Sequence, residues 1–114
     1  MFGPDHSNTA YSFHILATVL QLQGDLASAR PLFERALDIC EQVLGPEHPE
    51  TATSLASLAL LLCDQGDPGA ARSLFERALA IRERVLGPDH PDTVATKRAL
   101  TELAGEGDGP TVDG

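Results

Sequence analysis

The stretch LGPEHPET at residues 44–51 returns as LGPDHPDT at residues 86–93, altered only by two exchanges of Glu for Asp. A glycine and two prolines within eight residues exclude a helix interior. A more divergent copy, FGPDHSNT, occupies residues 2–9, so the copies stand 42 residues apart. The octapeptide is punctuation between repeated units, and the units decide the fold.

Laid over residues 44–85 without a gap, residues 2–43 share 23 identities in 42 positions. Gly24 falls over Gly66, Asp25 over Asp67, Ala29-Arg30 over Ala71-Arg72, and the block LFERAL occupies both 32–37 and 74–79. Residues 86–104 begin a third unit and stop after its first half. Each unit reads as two helices. In the second, Pro49 suits the first helical position, where a missing N–H costs nothing, and Glu50 favours the positive helix end. Ala52, Leu55, Leu58, Ala59 and Leu62 then follow helical spacing. Gly66 stops that helix and Asp67 caps the next, ahead of Pro68. Ala71, Leu74, Phe75, Ala78, Leu79 and Val85 form the second apolar stripe, closed by Leu86, Gly87 and Pro88. No useful length of sequence alternates as a strand would. The pattern predicts an all-α solenoid of helical hairpins, two full repeats plus one terminal helix, about five helices in all. The array spans 1–104, as repeats 2–43, 44–85 and a partial 86–104. Residues 105–114, rich in Gly and Asp, read as a flexible tail.

Bulk composition agrees. Aromatic residues make up only 4% and Trp is absent, which suits thin layers of Leu and Ala better than one round core. A formal charge of −9 argues against a nucleic-acid partner, whose affinity comes mainly from Lys and Arg. The longest apolar run, Leu58–Cys63, is far too short to span a bilayer. Cys40 and Cys63 make no disulfide framework, and no basic segment precedes the apolar run at the N-terminus. A cytoplasmic setting is the expectation, with neither membrane nor nucleic acid as partner.

Phe13-x-x-Leu16-Ala17-x-x-Leu20 followed by Ala29-x-x-x-Phe33-x-x-Ala36 resembles the tetratricopeptide repeat signature. The second unit matches with Leu55, Leu58, Ala59, Leu62, Ala71, Phe75 and Ala78. Small residues at Ala17, Ala29 and Ala36 let backbones approach, while Leu16, Leu20 and Phe33 are expected to fill the gaps. The basic unit of that family has about 34 residues. The longer second helix and its RALxIxExVLGPxHPxT ending are similar to the kinesin-light-chain type. The resemblance covers roughly residues 2–104.

No cofactor, metal or catalytic residue is predicted. His6, His48 and His90 recur in equivalent turns, but a whole helix pair separates each from the next, too far for one ion. Local packing or hydrogen bonding of the ring within each turn is the expected role. GEGDGP at 105–110 follows a helix, lacks Lys and is acidic, unlike a phosphate loop. Glu34, Asp38 and Glu41 share a helix face, yet Ala80 replaces Asp38 in the next unit, which marks a solvated face.

The resemblance implies that first helices line a concave groove. Its peptide-binding positions would be Tyr11, His14, Thr18, Gln21, Thr53, Ala56, Leu60, Cys63 and Arg98, with Ala95 and Glu102 beside Arg98. Kinesin-light-chain units often carry an Asn pair where this chain has His14-Ile15 and Ala56-Ser57. The expected function is a non-catalytic protein-protein interaction module that binds a peptide or partner helix. The alternative is a self-association element, or one piece of a longer array. In that reading the apolar first helix stacks on another copy through Phe13, Ile15 and Val19, giving a homo-oligomer. The third first-helix, with Lys97, Thr101 and Glu102, reads as a polar cap.

Overall fold

A computed structural model describes residues 6–108. They form five α-helices: α1 His6–Leu22, α2 Leu26–Val43, α3 Pro49–Asp64, α4 Pro68–Val85 and α5 Pro91–Asp108. Among the described residues there is no strand. α1 packs on α2 and α3 on α4, and α2–α3 and α4–α5 contacts join the units in chain order. The stack is elongated, with principal extents of 59 × 34 × 18 Å.

The two kinds of turn have separate chemistry. Within each hairpin, Gly24 and Gly66 adopt φ of 86° and 85°, the left-handed conformation that ends a helix. The Asp25 N–H then reaches back to the Leu20 carbonyl and the Asp67 N–H to that of Leu62, both at 2.8 Å. The same aspartates cap the next helix, accepting from the N–H groups of Ser28 and Ala70. Glycine and aspartate thus stop one helix and start another within two residues.

Between units, the octapeptide works through its His and Thr. His48 precedes Pro49 as the N-cap of α3, and its Nδ1 accepts the Glu50 N–H at 3.0 Å. His90 Nδ1 accepts the Asp92 N–H at 3.1 Å in the same way. Thr51 and Thr93 are fully buried. The Thr51 hydroxyl donates to the Gly45 carbonyl, and that of Thr93 to the Arg82 carbonyl at the end of α4. The threonine therefore ties each new first helix to the turn or helix end before it. His6 lies in a helix here, but its side chain is outside the described residues.

The core is layered. Ala17, Ala29, Ala59 and Ala71 are fully buried where helices approach, with Phe33 and Phe75 beneath them. Two smaller clusters repeat one another at 42-residue spacing: Ala10 and Ala36 in one, Ala52 and Ala78 in the other. The stripe predicted for α3 is buried throughout. In α4, Val85 is exposed, and so is the equivalent Val43, which makes this a solvent-facing position of the repeat. Ile81 completes that stripe instead.

Two further differences have simple causes. Leu16 was expected to fill a gap, but it is 50% exposed, whereas the equivalent Leu58 is 6% exposed. Leu58 belongs to a first helix covered by the preceding α2; no helix before α1 covers Leu16 in these residues. α5 extends to Asp108, four residues beyond the expected end of the array at 104. Glycine lowers helix propensity by about 1 kcal/mol without forbidding it, and the first proline after Pro91 is Pro110. Residues 109–114 are outside the described residues.

Gly66→Ala tests the turn. A Cβ there would meet no atom within 4 Å, so only the left-handed backbone opposes it. Urea unfolding should show a loss of about 1–2 kcal/mol with the helical spectrum unchanged.

Candidate functional site

The first helices α1, α3 and α5 share a side of the stack, and polar contacts join the first two directly. His14 Nε2 and the Ser57 hydroxyl lie 2.7 Å apart, and the Gln21 amide donates to Asp64 at 3.0 Å. Thr18 donates its hydroxyl to the His14 carbonyl one turn back in α1. Two hollows interrupt this side. One, of about 410 Å³, lies between the N-terminal parts of α1 and α3. Ala10, Tyr11 and His14 of α1 line it, with Glu50, Thr53 and Ser54 of α3 and Cys40 of α2. A smaller one, of about 190 Å³, lies between α3 and α5 and is lined by Leu60, Cys63, Phe75, Ala99, Glu102 and Leu103.

Six of the residues expected to face a groove thus come to hollows: Tyr11, His14 and Thr53 at the first, Leu60, Cys63 and Glu102 at the second. Thr18, Gln21, Ala56 and Arg98 line neither. Thr18 and Gln21 serve intrachain hydrogen bonds, Ala56 is half-buried against the core, and Arg98 is exposed. Cys40, Glu50, Ser54, Phe75 and Leu103 were not expected in the groove. Cys40 and Phe75 come from the second helices α2 and α4, a layer that a single-helix pattern does not reveal, while Glu50, Ser54 and Leu103 lie on first helices beside the expected positions.

The self-association candidates divide. Ile15 and Val19 are exposed on α1. Phe13 is half-buried against the Ala10–Ala36–Cys40 cluster, with the Arg35 guanidinium 5.2 Å from its ring centroid, so it has an intrachain role. The polar residues Lys97, Thr101 and Glu102 are exposed on α5, and Lys97 pairs with Glu83 at 3.5 Å.

His14 is held by contacts on two sides, Ser57 and Phe33. Its ring meets Phe33 edge-on at 5.4 Å between centroids. Burial pushes its pKa below the ordinary 6.5, so the neutral ring is favoured. Cys40 is buried with its Sγ 3.6 Å from the Ser54 hydroxyl, and neither Cys40 nor Cys63 is in a disulfide. Among the described residues no three His, Cys, Asp or Glu side chains converge as metal ligands would. No described helix is long and apolar enough to cross a membrane.

The tetratricopeptide repeat model matches residues 7–84 and again 55–108, together nearly the whole chain. No curated protein matches the sequence.

The His14 shift has a definite sign. The unfolded chain binds a proton near pH 6.5 and the folded chain only at lower pH, so stability declines as pH falls through that window. Denaturant midpoints measured on either side of it should show His14→Gln with a shallower decline than the parent.

Proposed function

The chain belongs to the tetratricopeptide repeat family, whose repeats generally mediate protein–protein interactions without catalysis, and on that premise we propose that it binds an extended peptide or partner helix along the face of α1, α3 and α5. The observation that carries this reading is the pair of hollows on that face, one at each inter-unit junction. Each combines an apolar floor with a few polar groups, the make-up that accepts a side chain while a peptide backbone runs above. Tyr11 and Leu60, 66% and 54% exposed, stand at the two hollows as large apolar anchors. The 42-residue period and the LGPxHPxT turns support the kinesin-light-chain type of repeat, and a cytoplasmic location accords with this assignment.

Peptides selected from a random display library should bind with saturable affinity. Tyr11→Ala and Leu60→Ala should each weaken them roughly tenfold without loss of helical signal. Selected peptides indifferent to both substitutions would place binding elsewhere.

A second reading, self-association through α1, is favoured by the exposed Leu16 and by Val19, 43% exposed where its equivalent Leu61 is fully buried. In the second unit those positions belong to the surface that α2 covers. Light scattering over a dilution series should then show mass rising with concentration, and Val19→Asp should abolish the rise while the monomer stays folded. A constant monomer mass would end this reading.

A further inference from the structure

The hollow between α1 and α3 has a counterpart one unit later, and there it is filled. Cys40 of α2 corresponds to Arg82 of α4, 42 residues on. Arg82 sends Nη1 to the Thr96 hydroxyl at 2.8 Å and Nη2 toward the Thr53 hydroxyl at 3.4 Å. Asp92 acts on it electrostatically, opposing the desolvation that lowers its pKa, so the cation sits half-buried beside a carboxylate. Each partner has an equivalent around the first hollow. Ser54 stands for Thr96, Tyr11 for Thr53 and Glu50 for Asp92, and all three line it. A hydroxyl and a carboxylate are kept as Ser54 and Glu50, Tyr11 takes the place of Thr53, and the guanidinium gives way to the short thiol of Cys40, which reaches the Ser54 hydroxyl at 3.6 Å.

Building on the groove reading above, we propose that the α1–α3 hollow is a receptor for a guanidinium group, the side chain of an arginine in a bound peptide, which would stand where Arg82 stands one unit later. The second unit displays the same fold around its own cation and so shows which contacts the pocket can make. The Ser54 hydroxyl accepts an N–H, Glu50 supplies the negative charge, and Tyr11 offers an exposed ring against which a planar cation can stack. His14, the other titratable group on the α1 wall, favours its neutral form and so does not oppose a cation at neutral pH. The formal charge of −9 favours approach of a basic segment. A planar fork of donors matches a hydroxyl and a carboxylate at fixed positions better than an ammonium does, so arginine is preferred to lysine.

The test is a backbone amide NMR titration of the whole chain with three blocked tripeptides, Gly-Arg-Gly, Gly-Lys-Gly and Gly-citrulline-Gly. The arginine peptide should produce saturable shifts at Glu50, Thr53 and Ser54, with the lysine peptide weaker and the neutral citrulline peptide weakest. Glu50→Gln should weaken the arginine peptide roughly five- to tenfold. Cys40→Arg should occupy the hollow from within and abolish the shifts while its circular dichroism matches the parent. Should that variant not fold, Glu50→Gln, an exposed position, still decides the matter. Arginine and citrulline peptides shifting the groove equally would overturn the inference and leave the groove reading standing. Absence of saturable shifts would also overturn it, whereas the groove reading is judged by the library-selected peptides.

Discussion

The close approach of helices at four alanines is the constraint on which the rest depends. Ala17 and Ala59 on first helices, and Ala29 and Ala71 on second helices, have no exposed surface. A larger side chain at any of them would push two backbones apart, and packed interiors absorb added volume poorly. Phe33 and Phe75 are buried in the same core beside these small positions. The spacing of the hairpins sets the inter-unit junctions, and those junctions hold the hollows.

Ion pairs follow the packing instead of directing it. Arg77–Glu41 at 2.7 Å links successive units along α2 and α4, and Arg84–Glu47 at 3.3 Å ties α4 to the turn that opens its own unit. All four side chains are partly or mostly exposed, where such pairs contribute no more than about 1 kcal/mol. The buried threonines of the octapeptide matter more locally, because each hydroxyl is committed to a carbonyl where the chain changes direction.

The differences between units fall partly at their junctions. Where the copies agree, as in LFERAL, the residues build the hairpin. Where they diverge, at Cys40 against Arg82, His14 against Ala56 and Tyr11 against Thr53, the junctions acquire distinct surfaces. Repetition thereby provides an internal reference: one unit displays a side chain in a place that its neighbour leaves open.

Fold class, helix number, turn positions and the family were all legible in the sequence, because they depend on local rules. A glycine with positive φ, a capping Asp and a proline at a helix start act within four residues, and apolar periodicity marks the buried face of a single helix. Tertiary structure decided what depends on neighbours. Leu16 and Leu58 are the same residue in the same motif, yet one is half exposed and the other buried, because among the described residues only the second lies behind a preceding helix. Cys40, Glu50 and Ser54 come from two different helices and meet at the hollow with Tyr11 and His14. Their spacing along the chain carries no sign of it, since side chains converge across helices according to how the hairpins stack, and periodicity within one helix says nothing of its distance from the next.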